Sequence, residues 1–229
     1  MLLIMDIRRL PTNTPLDKIL NGGVECGVVT NIYGPAGSGK TNISMLTALS
    51  VKDQKILYID TEGGFSLERF NQIGGQNVIK NLLIMEPQNW VDQCEKINML
   101  ETIVKKENVG LVVVDSLVAL YRLEMNGDNF QKINRELALQ YLTLSKLARK
   151  YSIPVIVTNQ VYGHGEDVEI ISNMIAKYWS KAIIELRRLD RENHRMAIVI
   201  KHRSIPEGKK VEFVITKNGI KEVGKFDIF

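Results

Sequence analysis

Residues 34 to 41 read Gly34-Pro35-Ala36-Gly37-Ser38-Gly39-Lys40-Thr41, three spaced glycines followed by a lysine and a hydroxyl. Glycines at 34, 37 and 39 let the backbone curl until successive amide N–H groups point inward, a concavity that suits phosphate oxygens. A helix opening at Lys40 adds the partial positive charge of its N-terminus. Lys40 would then reach the β- and γ-phosphates, and the Thr41 hydroxyl would ligate magnesium. A turn built only to reverse the chain needs neither the lysine nor the hydroxyl. The chemistry implied is nucleoside triphosphate binding, with ATP and Mg2+ as the expected cofactors.

Two acids extend that chemistry. Leu111-Val112-Val113-Val114-Asp115 places a carboxylate at the carboxyl end of an apolar run, where it would hold the magnesium through water. Asp60-Thr61-Glu62-Gly63-Gly64 follows another apolar run, and Glu62 is the candidate for the group that orients an attacking water. An acid in a loop after a strand is common, so Glu62 gains its meaning from its company.

These residues need elements to place them. Val28 to Tyr33, Lys55 to Asp60, Leu82 to Met85, Leu111 to Asp115 and Pro154 to Asn159 read as strands, and unbroken apolar stretches among them suit strands buried on both faces. Lys40 to Val51 reads as the helix after the loop. Trp90, Cys94, Ile97, Leu100 and Val104 fall on one face of a helix, as do Phe130, Ile133, Leu137, Tyr141, Leu144, Leu147 and Tyr151. Strand and helix in alternation imply an α/β fold, a mostly parallel sheet with helices on both faces. After Tyr162 the pattern changes: Ala182 to Arg187, Met196 to Lys201 and Val211 to Thr216 are close-set strands joined at Asp190 to Asn193 and followed by Asn218-Gly219, an antiparallel edge on the parallel core.

Bulk composition bounds the rest. The chain has 229 residues, is 45% hydrophobic and carries 6 prolines, enough to bury a core without disulfides or metals. Cys26 and Cys94 have no zinc-like spacing and point to a reducing, cytoplasmic setting. Met1 to Arg9 is apolar but short and broken by Asp6, Arg8 and Arg9, so it reads as a first strand or arm and not a membrane span. Net charge is +4, yet residues 187 to 210 hold eight Lys/Arg against three acids. That basic stretch is a footprint for a polyanion or a solvated hairpin.

In order and spacing these segments resemble the RecA/RadA recombinase family, and within it the archaeal RadB proteins. The likeness begins at Thr14-Pro15-Leu16-Asp17-Lys18-Ile19 and runs through Tyr58-Ile59-Asp60-Thr61-Glu62-Gly63, Asp115-Ser116-Leu117-Val118-Ala119-Leu120 and Thr158-Asn159-Gln160-Val161 to Pro206-Glu207-Gly208. It implies one RecA-like P-loop ATPase core over residues 1–229, with no helical DNA-binding domain in front and no Phe-x-x-Ala filament motif near the start. By the same resemblance Glu62 polarises the attacking water, Arg69 stacks on adenine, and Gln160 senses the γ-phosphate and couples it to a DNA-binding loop. Lys201 and Arg203 resemble a Lys-x-Arg pair that reaches a neighbouring subunit's γ-phosphate; contact with a DNA backbone or plain solvation is the other reading. DNA-binding loops are implied after Leu120 and after Val161. Tyr121 and Arg122 suit stacking and phosphate contact in the first, whereas Tyr162 to Val168 is short and acid-containing. Arg187, Arg188, Arg191 and Arg195 in the basic stretch are further DNA-binding candidates.

The implied function is that of an accessory protein in DNA repair and homologous recombination, hydrolysing ATP weakly while holding DNA, most simply single-stranded, and modulating the main recombinase. Expected partners are DNA, a recombinase or other recombination protein and a possible second copy of the chain. No membrane is expected. The alternatives are an autonomous DNA-dependent ATPase that exchanges strands, and a KaiC-like regulatory ATPase acting on proteins.

Overall fold

Runs that are apolar on successive residues cannot tolerate water on either face, so they end up inside a sheet covered on both sides. In the computed structural model, which describes residues 7–162 and 169–224, this is where they lie. Residues 1–6 of the expected arm and 163–168 of the second expected loop, His164 included, fall outside the described residues.

In chain order the elements are β1 (Arg9–Leu10), α1 (Leu16–Ile19), β2 (Val24–Glu25), β3 (Val29–Tyr33), α2 (Lys40–Ala48), β4 (Lys55–Asp60), α3 (Leu67–Gln72) and β5 (Leu82–Met85). Then come α4 (Trp90–Lys106), β6 (Val109–Asp115), α5 (Ala119–Glu124), α6 (Phe130–Tyr151), β7 (Val155–Asn159), β8 (Val161–Tyr162) and β9 (Glu169–Ile170). The chain closes with α7 (Asn173–Trp179), β10 (Ala182–Arg188), β11 (His194–His202), β12 (Lys210–Thr216) and β13 (Gly219–Glu222). A nine-stranded sheet carries the order β13-β12-β11-β10-β3-β7-β6-β4-β5. From β10 to β5 every neighbour is parallel, and from β10 to β13 every neighbour is antiparallel. The expected parallel core with an antiparallel edge is thus present, and β13 after the Asn218-Gly219 turn adds a strand to it.

Period-two alternation divides the core. Val112 and Val114 face one side, where Ile97 and Leu100 of α4 and Leu137 and Leu144 of α6 cover them. Leu111 and Val113 face the other, against Ile43 of α2, Leu16 of α1 and Phe70 of α3. Helices therefore lie on both faces. The long amphipathic helix runs over the residues its spacing implies, except that Phe130 in its first turn is exposed. The helix after the loop stops at Ala48, short of Val51, because Leu49, Ser50 and Val51 take tighter i to i−3 bonds.

One polar contact crosses this interior. The buried Tyr141 hydroxyl accepts from Asn31 Nδ2 and Asn159 Nδ2, each at 2.9 Å, tying α6 to β3 and β7. Burial pushes the phenol far up, so the group is neutral. Removing the hydroxyl would strand two buried amides. Tyr141→Phe is expected to lower stability by about 1–3 kcal/mol, seen as a reduced urea midpoint with an unchanged m-value.

Candidate active site

Because β3, β7, β6 and β4 are parallel neighbours, their carboxyl ends open onto one edge of the sheet. Gly34 follows β3, Gln160 follows β7, Asp115 ends β6, and Asp60 ends β4 shortly before Glu62. This is where ligands bind in open α/β sheets.

The loop after β3 is held close to the sheet. A Cβ at Gly34 would sit 2.4 Å from the Leu186 carbonyl oxygen, so a side chain there would force the loop outward. Gly37 and Gly39 adopt φ of +70° and +104°, left-handed values that turn the loop into the first turn of α2. Lys40 Nζ donates to the Gly34 and Pro35 carbonyls at 2.7 and 3.0 Å. A cavity of about 230 Å³ lies here, bounded by Gly37, Gly39, Lys40, Thr41, Glu62 and Asp115 among others. Burial pulls the Lys40 ammonium below its usual range, while the charges of Asp115 and Glu62 oppose that pull.

Asp115 is 6% exposed, and its two oxygens are served from both neighbouring strands. Tyr58 of β4 donates to Oδ2 at 2.7 Å and Thr158 of β7 donates to Oδ1. The Thr41 hydroxyl faces it as well and favours its charged form. Burial nevertheless raises the carboxyl's pKa against all three donors. Tyr58 and Thr158 have no nucleotide-like signature in sequence, and only the pairing of the strands brings them to the carboxylate.

Glu62 lies on an exposed loop that is far from slack. The Asp60 carboxylate accepts from the backbone N–H groups of Glu62, Gly64 and Phe65 at 3.2, 3.1 and 2.8 Å. Ser116 Oγ donates to Glu62 Oε1. Glycine-lined amides, a half-buried cation, a hydroxyl and a carboxylate facing one small cavity fit a polyphosphate with a magnesium ion. Among the described residues no three His, Cys, Asp or Glu gather as a metal cluster. A cation here would rest on Thr41, Asp115, ligand oxygens and water, the sparse protein coordination that magnesium accepts.

The other expected site residues divide into those brought near and those kept away. Arg69 bonds Asn42 Oδ1 at 2.8 Å and the Thr216 and Lys217 carbonyls at 2.9 and 2.7 Å, so it fastens α2 to the turn between β12 and β13 beside the loop. Gln160 is half-buried, and its Oε1 accepts from Arg122 Nη1 at 2.6 Å; the wholly buried amide is its neighbour Asn159. Tyr121 corrects the sequence reading. At 2% exposure, its ring packs edge-on against Trp90 and its hydroxyl donates to Asn134, leaving no face for a base.

Lys201 and Arg203 also move. Lys201 pairs with Ile183 in a sheet whose Ala182 is level with Thr30, so both cations stand at the amino-terminal edge of the parallel strands. Six residues of strand separate Lys201 from Arg195 at the loop end, roughly 20 Å at strand rise. Lys201 donates to the Lys177 and Ser180 carbonyls at the carboxyl end of α7, and Arg203 pairs with the buried Glu25. Within one chain neither belongs to this cavity. The basic stretch is likewise not one surface. Arg187 points to one sheet face and chelates Glu185, while Arg188 and Arg195 oppose each other on the other. Arg195 Nε donates to the Gly37 carbonyl at 2.9 Å, so it braces the phosphate loop from outside.

Comparison with known proteins agrees with this fold. The profile of the family described as Rad51 matches residues 6–223. The chain belongs to the Rad51 family. Among Rad51-family relatives, a DNA repair and recombination protein RadB of Methanobrevibacter smithii is 42% identical over 94% of this chain and 96% of its own. One from Methanosphaera stadtmanae is 39% identical over 92% and 94%. A crystal structure of the RadB recombinase superposes with a TM-score of 0.82 at 36% identity, covering 94% of this chain and all of that one.

In this Rad51-family site the amides set the loop's shape and Lys40 supplies its charge. Lys40→Ala is expected to weaken the equilibrium affinity for a fluorescent ATP analogue at least tenfold. Arg195→Ala, which removes a brace on the outside of the loop and leaves every group inside it in place, is expected to weaken it by no more than about fivefold, about 1 kcal/mol. Calorimetric titration of the two variants checks both.

Proposed function

We propose that this chain binds ATP with Mg2+, hydrolyses it slowly, and acts on DNA as an accessory protein of repair and homologous recombination that modulates a recombinase. The observation that carries the reading is the convergence of Lys40, Thr41, Glu62 and Asp115 on one cavity at the loop end of the sheet. The names of its relatives, DNA repair and recombination proteins, support the DNA side.

When bound, Mg2+ would neutralise charge developing on the phosphates. The chain's own residues do the rest. The loop amides and Lys40 would hold the phosphates, and Arg69 would stack on the adenine. Thr41 and Asp115 would hold the cation, and Glu62 would take a proton from water and orient it. Among the residues lining the cavity Lys40 is the sole cation. An isolated chain thus has little beyond Lys40 to offset transition-state charge, which favours weak turnover. Lys201 and Arg203, at the far edge, would act on phosphate only in a neighbouring copy, after Arg203 leaves Glu25.

Arg122 is the exposed cation of the first expected DNA loop, and its bond to Gln160 links that loop to the strand next to the phosphate loop. Beside it lies a largely apolar hollow of about 780 Å³ with Met125, Phe130 and Met174 on its wall. A cation beside an apolar hollow suits unstacked bases and their backbone, and Arg187, Arg188 and Arg191 would add phosphate contacts. We read residues 1–229 as one such core, working in the cytoplasm.

ATP turnover measured with and without single-stranded DNA, alongside solution mass, tests the reading. Slow turnover little changed by DNA, in a monomer or small oligomer, is expected. Fast, DNA-stimulated turnover in filaments would instead make the chain an autonomous recombinase. Arg122→Ala should reduce retention on single-stranded DNA and flatten its dependence on salt by about one unit of slope.

A further inference from the structure

A general base must present one oxygen in a fixed direction, yet Glu62 sits on an exposed loop and its side chain has freedom to lose. Two hydroxyls outside the phosphate loop remove that freedom. Ser116 is completely buried, and its Oγ donates to Glu62 Oε1. Thr61, the residue before Glu62, grips the backbone of Ser116 from both sides. Its Oγ1 donates to the Ser116 carbonyl at 2.6 Å and accepts from the Ser116 N–H at 3.0 Å. The Thr61 N–H adds a bond to the Asp115 carbonyl at 3.0 Å.

The loop that carries the base is therefore stitched to the residue that follows the metal-side acid. The stitch is reciprocal: the base loop fixes the backbone of Ser116, and Ser116 fixes the base. Glu62 Oε2 is left without any hydrogen bond among the described residues, available to a water.

We propose that Ser116 is a positioning residue for hydrolysis, holding Glu62 through Oε1 so that Oε2 addresses the water beside the terminal phosphate, with Thr61 fixing Ser116 in turn. This rests on Glu62 being the base. A merely structural Ser116 would satisfy its own buried hydroxyl and would matter equally whatever stands at position 62. A positioning Ser116 matters only while the carboxylate is there.

The test compares Ser116→Ala, Glu62→Gln and the double variant. Three quantities are read: single-turnover rate at saturating Mg–ATP, affinity for a non-hydrolysable ATP analogue, and affinity for ADP–aluminium fluoride as a mimic of the transition state. Ser116→Ala is expected to slow turnover roughly 10- to 100-fold, the range for losing a hydrogen bond to a charged group. It should weaken ADP–aluminium fluoride binding while leaving analogue affinity within about twofold. In the Glu62→Gln background the same change should cost less than about twofold. Equal losses in both backgrounds, or unchanged turnover in Ser116→Ala, would overturn the inference while sparing the proposed function. Full activity in Glu62→Gln would remove the base itself and the inference with it. Thr61→Val, which keeps the volume but releases the grip, should reproduce the Ser116→Ala pattern and serves if that variant does not fold.

Discussion

Parallel pairing of β3, β7, β6 and β4 is the constraint from which the rest follows, because it brings four strand ends to one edge and fixes what stands there. The strands are mostly apolar on both sides, so their charged groups gather at their ends. Each end delivers one piece of chemistry: the curled loop after β3, the acid that closes β6, the loop acid after β4 and the amide after β7. Sliding one strand by a residue would turn Asp115 from its present partners toward the opposite face.

Placing charge at such an edge has a cost that the neighbouring strands offset. A carboxylate in low dielectric prefers to be neutral, and burial does push Asp115 in that direction. Tyr58 and Thr158, on the strands to either side, supply donors to both its oxygens. Lys40 is pulled the opposite way by the same desolvation and is opposed by the same two acids. The lysine meanwhile rests on the carbonyls of its own loop. Oppositely charged groups in one partly dry cavity stabilise one another more than they would in water, and a polyphosphate with its cation would complete that balance.

Much of this was legible in the residues, for reasons that differ by element. The helix over Phe130–Tyr151 and the buried strands carry strong periodicities, and their bounds fall within a residue or two of expectation. The loop was legible because glycine, lysine and threonine at those spacings have little other use together. What escaped was non-local. Arg203 looks like a free cation until the fold brings Glu25 beside it, and Arg195 like a DNA contact until β11 carries it to Gly37. A run of arginines in sequence splits between two sheet faces because a strand alternates. Tyr121 followed a similar course, since an aromatic at a helix start can serve a core or a ligand, and here Trp90 claims it. The short helices α1, α3, α5 and α7 have too few turns to show a period.

In the proposed function the backbone amides of residues 36 to 42 receive the phosphates of ATP. Hydrogen–deuterium exchange of the whole chain with and without a magnesium-bound, non-hydrolysable ATP analogue addresses it directly. Protection on binding should centre on those amides, with smaller gains around Glu62 and Asp115 and none at Lys201 to Arg203 in a monomer. An unchanged phosphate loop under saturating ligand, with protection appearing elsewhere, would contradict it.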